Sequence, residues 1–312
     1  MFARPCSPDR MPCATLLGIV GVLVLLFAAA PLRADQAKHI LILNSYHRGY
    51  NWTDEQSDGM AKTLTQLHPG ATQDVVYMDW KRFPTKDTLD DLATLLRHRY
   101  RDRRIDLLLT TDDAALLFAL KHRREFLDNA PIVYSGVFER TAKDYTAHEH
   151  NVTGVYEAVD PQGTIEAALA LNPNYKNVYI VHDSSETSRT LEKEILEDLA
   201  GMGAPLMPHV LTGLPFDALC DRLAALPPQS FILLASYAMD SNGLTMQPER
   251  FAALMSTRAN APIYTMYDHM LGCGVVGGSL LAGSLQGEAA GRLGAQILQG
   301  IPAGSLPPIT RK

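Results

Sequence analysis

Residues 39–52 read HILILNSYHRGYNW, and they decide the fold. The apolar run Ile40–Leu43 shows no apolar/polar alternation, which is the pattern of a strand buried on both faces, as in a parallel sheet. It breaks into a polar and aromatic loop, and a helix follows at once. Thr53 stands where an N-cap would, with Gln56 three residues on as its reciprocal partner in a capping box. In open parallel sheets ligands sit beyond the carboxyl ends of the strands. The loop from Ser45 to Trp52 is therefore the first candidate for a ligand contact.

Outward from this unit the same alternation continues. Strands are expected over residues 74–80, 105–110 and 131–137, and helices over 86–100 and 114–127, the first with Leu89, Leu92, Leu95 and Leu96 on one face. Residues 151–160 are strand-like and end at Asp160-Pro161, a helix cap followed by proline at the first helical position. The pattern then restarts, with strands over 177–181, 205–211, 231–235 and 262–267. Helices are expected over 187–199 and 216–226 and from Pro248. Residues 272–300 hold a glycine-rich loop and a helix carrying Ala290, Leu293 and Ile297. Two βα halves thus stand in tandem and meet near residue 157, an α/β architecture of parallel sheets with helices on both faces.

The chain has 312 residues, 46% of them hydrophobic and 20% charged, with a formal net charge of −6. A net acidic chain without a basic stripe argues against nucleic acid as a partner. Arg4 and Arg10 precede the apolar run Leu16–Ala30, and Pro31-Leu32-Arg33-Ala34 follows. That order is the one of a secretory signal, with cleavage expected after Ala34, and the run is short for a bilayer span. The mature protein is expected in the periplasm, meeting the membrane only through this segment if it stays uncleaved. Cys6 and Cys13 lie within it, leaving Cys220 on an apolar helix face and Cys273 in the glycine-rich loop. Two such cysteines make no disulfide framework.

The loops after the expected strands collect hydroxyls, carboxylates and flat rings: Ser45, Tyr46, Tyr50, Trp52, Thr111, Asp112, Asp113, Ser135, Tyr156, His182, Asp183, Ser184, Ser236, Tyr237, Tyr267 and Asp268. Any one of them has an ordinary role as a helix cap or edge cover; their joint placement suits a small ligand that is stacked and hydrogen-bonded. Catalytic patterns are lacking. No serine sits in a Gly-x-Ser-x-Gly elbow, no Walker glycine loop occurs, and Val276-Gly277-Gly278-Ser279-Leu280 lacks the spacing of a phosphate cradle. Asp112 and Asp113 are adjacent in a loop, an arrangement that turns two carboxylates apart with one capping the helix. His148-Glu149-His150 lies in a polar loop, and HExxH and paired-cysteine spacings are missing, so neither a metal nor a cofactor is expected.

The segments HILILNSYHRGYNWTDEQSDG, YMDWKRF, IDLLLTTDDAALLF, APIVYSGVFER and NVTGVYEAVD together resemble the substrate-binding proteins of ABC transporters, which have the type I periplasmic-binding fold. Within that group they are most similar to the periplasmic sensor modules of bacterial histidine kinases and cyclases. The resemblance spans about residues 38–300. It implies two Rossmann-like lobes joined by a hinge of three crossovers and closing on a small molecule. Residues 35–157 would form the N-terminal lobe and 158–272 the C-terminal lobe, with 273–312 returning to the first. It further implies that Ser45, Tyr46, Asp112, Asp113, Ser135 and Gly136 line the first lobe, with Thr153–Tyr156 near a hinge crossing. His182, Asp183, Ser184, Ser236, Tyr237, Tyr267 and Asp268 would face them, and Gly277-Gly278 would lie near the return crossing.

The expected function is periplasmic solute binding by cleft closure on a small organic ligand, handed to an ABC permease. The alternative is a ligand-sensing module that passes closure to a sensor kinase or cyclase, for relatives of that kind continue past the position of Lys312. A secreted α/β enzyme is the third reading. No cysteine follows Ala34 where a lipid anchor would attach, so lipid tethering is not expected.

Overall fold

The computed structural model describes residues 1–3, 37–203 and 205–310. The export segment expected over residues 1–34 lies, from residue 4 on, outside the described residues. From Lys38 on the chain forms one compact unit containing two parallel sheets.

The first sheet begins with β1 (His39–Asn44), which leads into α1 (Asn51–Leu67); β2 (Thr72–Tyr77), α2 (Lys86–Arg99), β3 (Leu107–Thr111), α3 (Asp112–Phe126) and β4 (Ile132–Phe138) follow. α4 (Glu139–Thr146) and β5 (Val152–Glu157) complete the run. The second sheet takes α5 (Pro161–Leu171), β6 (Asn177–Val181), α6 (Glu186–Met202), β7 (Met207–Leu211), α7 (Phe216–Ala224), β8 (Ser230–Leu234), α8 (Pro248–Arg258) and β9 (Ile263–Thr265). The chain then returns through α9 (Gly283–Leu298) to β10 (Ile309–Thr310). Strand order is β10-β5-β4-β3-β1-β2 in one sheet and β7-β6-β8-β9 in the other, and every pairing between these strands is parallel. The two-lobed α/β architecture is therefore as expected from the unalternating strands.

Two local readings differ. α1 starts at Asn51, behind Tyr50, with no side-chain cap. Thr53 and Gln56 are buried instead, and the start is held by Asp54, whose Oδ2 accepts from the Gly49 amide at 2.8 Å. α4 has no counterpart in the sequence reading, because only Ala142 of its eight residues is buried and so no apolar stripe marks it. Cys220 and Cys273 are both free, and Cys220 is buried. No helix among the described residues is long and apolar enough to cross a membrane.

The N-terminal sheet is covered on both faces. Leu96, Leu116 and Phe118 belong to the core on one side, and Met60, Leu64, Ala290 and Leu293 to the core on the other. The second side depends on α9 lying against α1 at backbone contact. A Cβ on Gly287 would stand 2.0 Å from the Gln56 carbonyl oxygen, and one on Gly59 would stand 2.7 Å from the carbonyl of Ser284. Neither obstacle is a flexible side-chain end, so the helices must separate to admit a methyl group.

Overpacking of this kind costs about 1–3 kcal/mol. Gly287→Ala is expected to lower the unfolding free energy by about 3 kcal/mol, at the upper end of that range. Gly201→Ala, in α6 with open space around it, is expected to raise it by about 0.5–1 kcal/mol. Urea denaturation of both variants measures the difference.

Candidate ligand-binding site

The carboxyl ends of the two sheets face each other across a cleft, and two hollows lie in it. The larger has a volume of about 450 Å³, within the usual range for small-molecule sites. Trp80, Leu89, Leu117, Phe118, Phe138 and Tyr145 wall it from the N-terminal lobe, and Ala238 and Met239 from the other. Its polar rim includes Asp113, Asp183, Ser185 and Glu186. The smaller hollow, about 40 Å³, is lined by Tyr50, Trp52, Asp112, Glu157, Ser236, Tyr267 and His269, among others. Tyr46, Lys81 and Thr187 line both, so the hollows adjoin at Lys81.

Lys81 follows β2 by four residues. Its Nζ lies 4.6 Å from the centre of the Tyr46 ring and 5.3 Å from that of Tyr50, within cation–π range. It makes no ion pair among the described residues. The carboxylates around it are kept from ionising fully. Burial pushes the Asp112 carboxyl up to about 7, helped by the charge of Asp113 and opposed by Trp52, Lys81 and Gln56. Burial likewise raises Asp113 to about 6, with Glu186 adding to it. Glu157 is raised well above the carboxylate range by burial, against the hydrogen bond from Tyr267.

Asp112 and Asp113 do turn apart: Asp112 lines the small hollow and Asp113 the large one. Asp112 adopts φ +60°, a left-handed conformation that aspartate tolerates better than most residues. Its Oδ1 accepts from the Trp52 indole at 2.9 Å. Gly136 makes room for it, since a Cβ there would stand 2.8 Å from Asp112 Oδ1 in a backbone already at φ +69°.

The aromatic loop of residues 46–52 packs into the core of the opposite lobe. Tyr46, Tyr50 and Trp52 share a cluster with Val181, Leu234 and Tyr267, and Trp52 meets Tyr267 edge-on at 5.5 Å. Three hydrogen bonds join the lobes here. Asn51 Nδ2 donates to Glu249 Oε1 at 2.8 Å, Gln247 Nε2 donates to the Gly49 carbonyl, and the Tyr267 hydroxyl donates to Glu157 Oε1 at 2.6 Å. The lobes are closed on each other at this side of the cleft.

Of the residues named from sequence, Tyr46, Tyr50, Trp52, Asp112, Asp113, Asp183, Ser236 and Tyr267 line one or other hollow. Asp183, however, is engaged by its own loop, accepting from the Ser185 amide at 3.0 Å, Ser188 Oγ at 2.7 Å and the Ala238 amide at 2.9 Å. Burial alone would raise it, but Lys81 and these donors hold it below the usual carboxylate range. The others have local roles. Ser45 caps α3 from the neighbouring strand, accepting from the Ala115 amide at 2.8 Å and donating to the Thr111 carbonyl at 2.6 Å. Ser135 donates to Gln56 Oε1, and Tyr156 is buried beside Tyr134. His182 lies 3.0 Å from Glu192, Ser184 is exposed, and Tyr237 packs on Phe251 at 4.9 Å. Asp268 borders neither hollow. Glu149 of the His148–His150 stretch is engaged by Arg123 and Arg124.

Lys81, Trp80, Phe118, Phe138, Glu157 and His269 were not singled out from sequence. Trp80-Lys81 and Glu157 do stand at the carboxyl ends of β2 and β5, so the strand-end rule, applied evenly, marks them. Phe118, one turn and a half inside α3, carries no such signal.

Residues 53–312 match the family described as ABC transporter substrate binding protein. The chain belongs to that family. Its fold is shared with a conserved domain protein from Vibrio cholerae, 15% identical over 89% of this chain and 90% of that one, with a TM-score of 0.64. It is shared with the ABC domain in complex with L-Trp from Streptococcus pneumonia, 16% identical over 88% and 89%, with a TM-score of 0.62. A carbohydrate transporter from Acidothermus cellulolyticus in complex with myo-inositol is 17% identical over 88% and 91%, with a TM-score of 0.55. Comparison with curated proteins gave no match. A substrate-binding protein of this family acts by binding a solute, and the cleft is the place for it in this fold.

Carboxyls whose folded pKa is raised keep their protons longer in the native state, so stability falls as pH rises through the interval between the unfolded and folded values. For Asp112, with an ordinary value of 3.8 and a folded one of about 7, that interval is roughly pH 4–7. The ligand-free protein is expected to melt higher at pH 5 than at pH 7.5. Asp112→Asn, which keeps an acceptor for Trp52, is expected to flatten that slope. Differential scanning calorimetry across the range measures it.

Proposed function

We propose that this protein is a periplasmic solute-binding protein whose ligand is an amino acid with a large apolar or aromatic side chain, delivered to an ABC permease. The observation that carries the reading is Lys81. It is a cation without an ion pair, at the junction of a large apolar chamber and a small acidic hollow. A ligand carboxylate would pair with Lys81, and an ammonium group would lie toward Asp112 or Asp113. The side chain would fill the chamber walled by Trp80, Leu117, Phe118 and Phe138.

The fold does not choose the ligand, since proteins sharing it hold L-Trp in one case and myo-inositol in another. The lining supports the choice. A polyol needs hydrogen-bonding partners on every side, and apolar walls would strand its hydroxyls at a cost of about 1–3 kcal/mol each. Nothing in the cleft calls for catalysis: the ionisable groups are engaged in the loops or held near neutrality, and binding with closure accounts for them. Closure transmits a signal only if the ligand favours the shut form, and the contacts of residues 46–52 with the opposite lobe supply that form.

A melting-temperature screen over amino acids, nucleosides, sugars and polyamines tests the reading. Large apolar amino acids are expected to stabilise the protein, by about 2.7 kcal/mol at a hundredfold excess over Kd, while polyols leave it unchanged. Lys81→Met is expected to weaken binding by about tenfold to a hundredfold, the value of a charge-assisted hydrogen bond. Stabilisation by sugars alone, or undiminished affinity in Lys81→Met by calorimetry, would sink the proposal.

A further inference from the structure

At the side where the lobes touch, at the edge of the small hollow that His269 also lines, three metal-ligating side chains converge from distant parts of the chain. Glu55 projects from α1 in the N-terminal lobe, and Asp268 and His269 stand on the short turn after β9 in the other. Each offers a ligand atom, and these atoms all lie within 4.8 Å of one another. Ligands about 2.0–2.2 Å from a tetrahedral cation stand roughly 3.4 Å apart, so small side-chain adjustments bring this set onto one ion.

A second observation points the same way. Glu55 Oε2, Asp268 Oδ1 and His269 Nδ1 are each shut off from solvent and have no hydrogen-bond partner. Buried polar atoms in native proteins are nearly always partnered, and here each of the three clustered residues carries one without a partner. No lysine or arginine forms an ion pair with these residues among those described. The charge around the cluster is negative. Glu249 adds to the field at Glu55; the first amide of α9, at Gly283, faces both carboxylates, and the amides of Asp268 and His269 also face Asp268. An open groove of about 320 Å³ reaches Glu55 from solvent, bordered by Asp54, Asp58 and Glu288 with Lys62 beside them.

We propose that Glu55, Asp268 and His269 form a divalent transition-metal site that clasps the two lobes of the protein together. One imidazole with two carboxylates suits zinc or manganese, and it is a poor match for calcium, which takes six to eight oxygens. The residues lie far apart in sequence, so no ligand spacing announces them. Because one ligand comes from one lobe and two from the other, the ion binds the closed form in preference to an open one and shifts the equilibrium toward closure.

The mature protein, stripped with a chelator and kept free of solute, is titrated with zinc chloride by calorimetry, with manganese, magnesium and calcium chlorides alongside. Saturable binding of one zinc ion, a raised melting temperature and a smaller radius of gyration by X-ray scattering are expected. Glu55→Gln is expected to weaken zinc binding at least tenfold and to abolish the change in radius; Asp268→Asn replaces it if circular dichroism shows that Glu55→Gln has lost the native fold. Absence of saturable heat in the wild type overturns the site. So does undiminished zinc binding in the folded variant, which would place the ion elsewhere, as at His148 and His150. Lys81→Met separates the two proposals, because it removes solute affinity measured in chelator while leaving zinc affinity intact.

Discussion

The packing of α9 against α1, with backbone facing backbone, is the constraint on which the two-lobed arrangement rests. The chain leaves the N-terminal sheet after β5, builds a second sheet, and must come back. Glycines at 59 and 287 let the returning helix sit deep enough to complete the core on that face of the sheet. That docking aligns the start of α9, and with it Gly283, with the end of the C-terminal lobe. The side of the cleft where the lobes touch is therefore set by a helix packing contact.

Within the cleft the carboxyls gather at the junction of the two hollows, with Lys81 beside them and Lys121 on the wall of the larger hollow. Asp112, Asp113 and Glu157 converge from β3 and β5, and Lys81 is the cation placed among them. Burial makes full ionisation of all three carboxyls costly, and this sets the pH response of the protein. The aromatic loop that follows β1 adds the apolar part of closure. Tyr46, Tyr50 and Trp52 lie in the core of the opposite lobe, and Tyr46 and Tyr50 also present their rings to Lys81.

Much of the fold was legible because it follows from periodicity. Unalternating apolar strands such as Ile40–Leu43 and Leu107–Leu109 require cover on both faces, and short links between strand and helix require parallel pairing. The site was legible in part. Tyr46, Asp112 and Tyr267 follow from their places at strand ends, whereas Ser45, Ser135 and Tyr237 have the right residue type and the right place but are engaged by neighbouring backbone or core. Whether a hydroxyl at a strand end caps a helix or meets a ligand depends on what the adjacent strand brings beside it. Thr53 and Gln56 show the same limit, since a capping-box spacing became a buried contact once β4 supplied Ser135 as a partner.

The amino-acid sequence by itself determined most of the element order, the parallel sheets, the two-half organisation and the collection of polar and aromatic loops at the strand ends, because these depend on local periodicity and turn chemistry. Only the tertiary structure decided which loop residues face the cleft, that Lys81 stands without an ion pair at the neck of an apolar chamber, and that Glu55 meets Asp268 and His269. Those relations join residues from different lobes, and their distances come from helix and sheet packing, which leaves no trace in the spacing of residues along the chain.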